Sequence, residues 1–351
     1  MQTILITGAS GFVGQNLLHT WSNRPDFTLT PVSLRDGLFP LDSALSSLSP
    51  AIPAPCAAEG RNPAIIHLAG LAHDTRNTSN AADYFRINTD LTAEVYKRFL
   101  DSDARTFIYF SSVKAAADSV SGDLLTEDDT PNPGTPYGQS KLAAEEKILE
   151  LGIPTDRRVY ILRPCMMHGP GNKGNLNLLY KLVRKGIPWP LGAFENQRSF
   201  LCIDNLIYIL ESLLKGSARE LCAFDNPPSA ADKSAQLHGL TPCATPCAPS
   251  GIYHLADDDP LSTNELIRLI AESEQRKARI LRFPTGPIRA AARAGDFLHL
   301  PLNTERLKKL TESYVVSNAK IKSALGIDRL PVSVEEGLRK TVGSFAQGWQ
   351  G

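Results

Sequence analysis

The sequence has no surplus charge of either sign: Lys and Arg number 37, Asp and Glu 37. A zero balance points away from nucleic acid and from an acidic membrane surface as partners. No uninterrupted apolar run is long enough to cross a bilayer. Met1-Gln2-Thr3 leads straight into Ile4-Leu5-Ile6 with no basic flank, which is unlike a secretory signal and predicts a cytosolic protein. The six cysteines, Cys56, Cys165, Cys202, Cys222, Cys243 and Cys247, are scattered and read as free thiols of that compartment. Cys243 and Cys247 are spaced like half a metal site, but no Cys/His pair completes it, so no metal is expected. No internal repeat is visible. Apolar residues are plentiful: 42% of 351 residues is ample for a buried core in one large or two smaller domains.

The chain opens with a short apolar run, Thr3 to Thr7, as in a buried parallel strand. Gly8-Ala9-Ser10-Gly11-Phe12-Val13-Gly14 follows, then a helical stretch to Trp21. Strand, glycine loop and helix in that order form the phosphate-cradling turn of a dinucleotide site. Gly8 allows the tight turn, Gly11 lets the backbone approach the pyrophosphate, and Gly14 lets helix pack on strand. Phe27 to Leu34 is the expected second strand, whose end should meet the adenosine ribose. It runs into Arg35-Asp36. Arg35 suits a 2′-phosphate and Asp36 a free ribose, with a slight tilt to NADP tolerance. Residues 37–63 read as a loop with a helix near Leu41–Leu48, and Ala64 to Gly70 as a buried strand ending at the ligand side of the sheet. Tyr84, Ile87, Leu91, Val95 and Phe99 recur at helical spacing and predict one long helix over 83–100. Asn88 within it either holds a loop near a cofactor or is simply polar on a helix face.

Thr106 to Phe110 is a further strand, leading into Ser111-Ser112. The segment that organises the chain follows: Thr135-Pro136-Tyr137-Gly138-Gln139-Ser140-Lys141, running on in strong helix formers to Glu150. Pro136 sits where a helix can start, and Tyr137 and Lys141 share a face at i, i+4. A phenol beside an ammonium can be held closer to its ionised form and can then take a proton from an alcohol. A hydroxyl such as Ser112 can hydrogen-bond the same substrate oxygen. Tyr-x-x-x-Lys alone is equally an ordinary amphipathic face; its company decides. Arg158 to Pro164 is another strand, followed by a glycine-rich loop from His168 to Asn175. Strand and helix alternate through about 165 residues, the pattern of a doubly wound parallel sheet. Beyond this the rhythm changes. A helix over Leu176–Lys185, a short strand at Arg198–Ile203, a helix capped by Asp204, a strand at Gly251–Ala256, a helix start at Ser262 and a closing helix over Val334–Phe345 are expected. Residues 216–250 carry no period and read as an insertion loop.

These motifs together resemble the extended short-chain dehydrogenase/reductase family, within the NAD-dependent nucleotide-sugar epimerase/dehydratase group. The resemblance spans nearly the whole chain: the glycine trio at 8–14, His67-Leu68-Ala69-Gly70, Ser111-Ser112, Tyr137-x-x-x-Lys141, Arg163-Pro164, and Arg198-Ser199-Phe200 before Asp204. It implies an α/β, Rossmann-type domain over 1–165 with returning segments near 199–215 and 251–256. It implies a smaller substrate lobe over 166–198 and 257–351. The implied catalytic set is Ser112, Tyr137 and Lys141. Gly8, Ser10, Gly11, Phe12, Val13, Gly14, Arg35, Leu68, Ala69, Gly70, Asn88, Tyr137, Lys141 and Pro164 are implied around NAD or NADP. Asn175 and Arg198 are implied on the diphosphate of a UDP-linked sugar, together with Ser112 at the reacting oxygen. A guanidinium suits phosphate because it can grip two oxygens at once. The helices over 83–100 and 137–151 resemble the pair through which the family dimerises. The resemblance is to bacterial polysaccharide-pathway members acting at C4 of UDP-hexoses or UDP-N-acetylhexosamines. Two departures from galactose-type epimerases stand out: Ala72 where a lysine is common, and Ala116-Ala117 where Tyr-Gly is common. A 4-epimerase, a 4-keto-sugar reductase and, from another class, a non-catalytic dinucleotide sensor are the activities to separate. The sensor usually lacks the tyrosine or the lysine, and both are present.

Overall fold

A computed structural model describes residues 1–48, 62–71, 80–120, 122–172, 174–225, 248–298 and 303–347. Ala72, Cys56, Cys243, Cys247 and residues 226–247 of the expected insertion lie outside them. The strands are β1 (Gln2–Thr7), β2 (Phe27–Val32), β3 (Ala64–His67), β4 (Thr106–Phe110), β5 (Arg158–Pro164), β6 (Met166–His168), β7 (Phe200–Cys202) and β8 (Gly251–Leu255). Six of them form one parallel sheet in the order β2-β1-β3-β4-β5-β8. The runs at 64–67, 106–110 and 158–164 are buried throughout because helices cover both faces. Pro31, which cannot donate to a ladder, is accommodated because β2 is an edge strand.

The helices are α1 (Phe12–Trp21), α2 (Phe39–Ser46), α3 (Ala81–Tyr84), α4 (Leu91–Leu100), α5 (Pro136–Glu150), α6 (Asn175–Arg184) and α7 (Ile203–Asp225), then α8 (Thr263–Ser273), α9 (Thr285–Leu298), α10 (Thr304–Thr311), α11 (Ala319–Leu325) and α12 (Val334–Gln347). One apolar cluster, including Leu17, Ile66, Leu206 and Leu255, covers one face of the sheet. A second, including Val95, Phe99, Ala144 and Ile148, covers the other. A third gathers Tyr180, Trp189, Ile267, Ile270 and Leu338 around α6, α8 and α12. Among the described residues no helix is long and apolar enough to cross a membrane.

Several elements differ from the sequence reading. The single helix over 83–100 is α3 and α4 joined by a π-helical turn, Phe85–Asp90. The helix from Ile203 continues to Asp225, past the expected start of the insertion at 216. Asp204 lies in its first turn, where its carboxylate accepts from Lys340 Nζ at 2.6 and 2.8 Å. The segment 166–168 forms β6, paired in parallel with β7. Ser262 does open α8 with a full capping box to Glu265.

Candidate active site

The chain reverses its direction of growth across the sheet between β1 and β3, and the glycine turn sits there. Gly8 has φ +72°, a conformation that L side chains rarely adopt. A Cβ on it would lie 2.6 Å from Ala69 N and 2.8 Å from the Leu68 carbonyl carbon. The turn after β1 therefore touches the backbone after β3, at the switch point where open α/β sheets bind ligands. Gly14 meets Ala9 so closely that a Cβ would lie 2.5 Å from Ala9 Cα, which lets α1 seat against the turn. Gly11 is the N-cap of α1 and offers no side-chain cap. The first amides of that helix thus lack a side-chain acceptor, and with the helix dipole they suit a pyrophosphate. Ser10 and Gly11 are exposed, Phe12 is half-buried and Val13 is buried. The cradle fits a dinucleotide: close backbone approach, no obstructing Cβ, an uncapped helix start.

Thr7 and His67 close the ends of β1 and β3. Thr7 Oγ1 is 2.7 Å from His67 Nδ1 and accepts from Ala69 N at 3.3 Å, while His67 Nε2 is 3.1 Å from Thr92 Oγ1. Burial, with the positive charge of Lys141, pushes the His67 imidazole down to about 3, so it is neutral and acts as a strut.

The strand end at Gly70 reaches the helix that carries the tyrosine. A Cβ on Gly70 would lie 3.0 Å from Asn88 Oδ1 and 3.2 Å from Lys141 Nζ. Asn88 is fully buried in the π-helical turn. Its Oδ1 accepts from Leu71 N at 2.7 Å, and its Nδ2 donates to Leu71 O at 3.1 Å and to Ser140 Oγ at 3.0 Å. One amide thus ties the loop after β3 to α5.

Helix α5 starts where the sequence places it. Pro136 is in the first turn and Thr135 is the N-cap, accepting from Gly138 N at 3.3 Å. Asp118 fixes that cap: its carboxylate accepts from Gly134 N at 2.6 Å, Thr135 N at 3.0 Å and Thr135 Oγ1 at 3.1 Å. Gly138 permits a close approach. A Cβ there would collide with Lys114 O and lie 2.8 Å from Pro133 Cβ. The 3₁₀ turn Val113–Ala115 is thereby held against the first turn of α5. Ser112 caps that 3₁₀ turn, accepting from Lys114 N at 3.2 Å, and its hydroxyl hydrogen-bonds the Tyr137 phenol. Tyr84 packs edge-on against the Tyr137 ring at 6.0 Å.

The electrostatics differ from the sequence expectation. Burial raises the Tyr137 phenol above its ordinary value, partly offset by the Ser112 hydrogen bond, with Tyr84 adding to the rise. The ammonium does not reverse this because it is engaged elsewhere. Lys141 Nζ donates to Phe110 O at 2.9 Å and lies 5.0 Å above the Tyr109 ring. Burial brings its own pKa down to about 8, against the opposing pull of Glu145. Burial thus favours the protonated phenol at Tyr137.

Arg35 is exposed in the turn after β2, with its backbone N–H on Ser33 Oγ at 3.4 Å. Pro164 is buried at the end of β5, paired with Leu255. Asn175 opens α6. Arg198 is half-buried, its backbone bridging both Leu261 and Tyr314, its Nε donating to Glu312 O at 3.2 Å. Tyr314 links that segment to the chain just after the Val113–Ala115 turn, its hydroxyl donating to Ala117 O at 2.6 Å. Sequence reasoning assigned no role to Asp118, Tyr84, Tyr314, Arg163 or Glu145. The signal available was Glu145 four residues after Lys141, on the same helix face.

The sequence model of the NAD dependent epimerase/dehydratase family matches residues 4–218. The chain is 26% identical to a UDP-glucose 4-epimerase of Vibrio cholerae over 356 residues, covering 99% of this chain and 96% of that protein. It is 26% identical to a GDP-6-deoxy-D-mannose reductase of Pseudomonas aeruginosa, over 83% of this chain and 86% of that protein. Among solved structures, RMD from Pseudomonas aeruginosa complexed with NADPH superposes with a TM-score of 0.66 at 22% identity, over 99% of this chain and 100% of that one, a likeness of fold. With a glycine cradle at the switch point, a tyrosine–lysine helix beside it and a family match over more than half its length, the chain belongs to the NAD dependent epimerase/dehydratase family.

Proposed function

We propose that the protein is an NAD(P)-dependent nucleotide-sugar 4-epimerase of surface polysaccharide biosynthesis, acting on a UDP-hexose or UDP-N-acetylhexosamine through a 4-keto intermediate. The observation that carries this reading is the junction at Gly70. There the glycine-turn side of the sheet meets Lys141, on the helix whose Tyr137 is hydrogen-bonded to Ser112. The relative that matches 99% of the chain is named as a UDP-glucose 4-epimerase, which supports the same class.

The bound dinucleotide supplies hydride transfer. Its pyrophosphate is assigned to Gly8, Ser10, Gly11, Phe12, Val13 and Gly14, and its adenosine ribose to Arg35. Leu68, Ala69, Gly70 and Pro164 border it, and Asn88 keeps the loop after β3 in place. Tyr137 exchanges a proton with the sugar O4, as base when O4 is a hydroxyl and as acid when it is a carbonyl. Ser112 donates to the same oxygen as charge develops on it. Lys141 supplies positive charge beside the phenol. Asn175 and Arg198 are assigned to the sugar-nucleotide diphosphate. The three chain segments 1–165, 199–215 and 251–256 are assigned to the dinucleotide domain, and 166–198 with 257–351 to the substrate lobe.

A second reading is a reductase of a UDP-4-keto-6-deoxy-N-acetylhexosamine. Arg35, exposed in the turn after β2, favours it, since a side chain suited to a 2′-phosphate fits a dissociable NADPH and a net reduction. One experiment separates the two. Purified protein is denatured and its extract analysed by mass spectrometry for NAD and NADP, and the intact protein is incubated with UDP-sugars without added cofactor. Retained NAD with conversion to the 4-epimer is expected. Protein that converts no UDP-sugar without added cofactor but oxidises NADPH with a 4-keto sugar would replace the epimerase by the reductase. We further assign the protein to the cytosol as a homodimer paired through the 83–100 and 137–151 helices; light scattering that finds only monomer would remove that pairing.

A further inference from the structure

Behind the tyrosine–lysine pair lies a buried charge cluster that the reaction as described leaves without a role. Glu145 follows Lys141 by one helical turn and is 1% exposed. Its carboxylate accepts from Arg163 Nε at 3.0 and 3.2 Å and from Arg163 Nη2 at 2.5 Å, and from the Ser111 hydroxyl. Arg163 is 2% exposed, and its Nη1 faces His254 Nε2 at 3.4 Å. Three elements therefore converge on one carboxylate: the end of β4, one residue before Ser112; the end of β5, one residue before Pro164; and α5 itself.

A buried ion pair is an inefficient way to gain stability. Desolvating both charges commonly offsets their attraction, and apolar residues of similar volume do as well or better. Arg163 alone would satisfy one carboxylate. Lys141, however, is a second buried cation on the same helix, hydrogen-bonded only to a neutral carbonyl, Phe110 O, among the described residues. Glu145 thus stands between two cations, Lys141 and Arg163, while Glu127, accepting from His254 N at 2.7 Å, lies on the far side of Arg163.

We infer that Glu145 is a positioning residue for the reaction: its carboxylate supplies the buried counter-charge of Lys141 and, through Ser111 and Arg163, locks both strand ends to the helix that carries Tyr137. The groups facing Lys141 within the described residues are Glu145 on α5, His67 on β3 and Tyr109 on β4, with Arg163 and His254 behind Glu145 and Glu127 beyond them. His67 is neutral and Tyr109 is protonated, each kept so chiefly by burial, so Glu145 is the anion that faces Lys141. Burial and Glu145 pull the Lys141 ammonium in opposite directions, leaving it at about 8. Removing the carboxylate leaves burial unopposed, and Lys141 loses its proton at lower pH.

The inference rests on the proposed reaction for its meaning, but its test does not need turnover. Full-length wild type, Glu145→Gln and Ser111→Ala are titrated with NADH by fluorescence across roughly pH 6 to 10, and where a substrate is turned over, kcat and KM are followed over the same range. In Glu145→Gln the alkaline limb of both profiles moves to lower pH by about one unit or more. The kcat falls at least about tenfold near pH 8.5 and recovers toward wild type near pH 6.5, with KM for the sugar nucleotide within about threefold. Ser111→Ala keeps the charge and leaves the limb in place. Loss that is uniform across the range with an unmoved limb, or no loss at all, would overturn the inference. If Glu145→Gln fails to fold by circular dichroism, Glu145→Asp decides. That variant keeps the charge with a shorter reach, so an unmoved limb with reduced kcat is expected, and a displaced limb or unchanged kcat refutes it. Wild type that binds NADH yet turns over no sugar nucleotide sinks the proposed function and leaves the binding profile to decide the role of Glu145.

Discussion

Replacing Gly138 by alanine sets two effects of opposite sign against each other. On helix propensity alone the change is favourable, by about 1 kcal/mol, because glycine is the costliest ordinary residue in a helix. The structure opposes it. The added methyl would collide with Lys114 O and lie 2.8 Å from Pro133 Cβ. Neither obstacle yields easily: Lys114 belongs to a 3₁₀ turn closed by Ala115 N on Ser112 O at 2.9 Å, and its Nζ is anchored on Asp118 O at 2.8 Å. Overpacking against fixed neighbours costs about 1–3 kcal/mol. The net effect is a loss of about 0–2 kcal/mol, small in thermal unfolding. The effect on activity is far larger, because relief comes only by moving α5 away from the Ser112 turn. A displacement of about 1 Å between groups that share one reacting oxygen lowers rate on the order of 10²-fold. Thermal unfolding and kcat are measured on Gly138→Ala beside Gln139→Ala, an exposed change in the same turn. A variant more stable than wild type and equally active would refute the claim that this close approach sets the Ser112–Tyr137 contact.

Two further outcomes follow from the buried polar struts. Asn88→Ala removes three hydrogen bonds and leaves Leu71 N and O facing a void, so a loss of about 2–4 kcal/mol is expected in urea unfolding, with weaker dinucleotide binding; an unchanged midpoint and affinity would contradict the strut. Stability should also fall with acid: His67 stays neutral to about 3 and His254 to about 4, whereas both take up a proton near 6.5 when unfolded. Between those values the unfolded chain binds more protons, so at about pH 5 each histidine costs of order 2 kcal/mol relative to neutral pH, and urea midpoints that do not drop between about pH 7.5 and 5 would refute it.

The parts legible in the sequence were those fixed by local chemistry. The apolar runs at 64–67, 106–110 and 158–164 can only be doubly covered strands, and their parallel order follows from the helices between them. Thr135 and Pro136 announce the start of α5, and the observed cap is the expected one. The parts that escaped depend on residues distant in sequence. The π-helical turn at 85–90 keeps the apolar spacing of a helix, and only the bonds of Asn88 to Leu71 and Ser140 reveal why it is there. Helix α9 begins Thr-Gly-Pro, a turn-like start, and of its described residues only Ala292 and Gly295 are buried, so little of it is fixed by a covered face. Strand β6 is three residues long and exists through its pairing with β7, which lies within the strand expected at Arg198–Ile203. Glu145 reads as a solvated helix charge until Arg163, 18 residues on, is seen to bury it. The raised phenol of Tyr137 likewise needs the knowledge that Lys141 turns to Phe110 O.

The central claim is that the Tyr137 phenol moves the proton at the sugar C4 oxygen. Its most direct test is a single-turnover measurement on Tyr137→Phe, with nicotinamide absorbance followed after mixing with a UDP-sugar and bound dinucleotide assayed separately. The account predicts dinucleotide retained at the wild-type level, no absorbance change and at least about a 10³-fold loss of product. Turnover within tenfold of wild type by a phenylalanine at this position would contradict it.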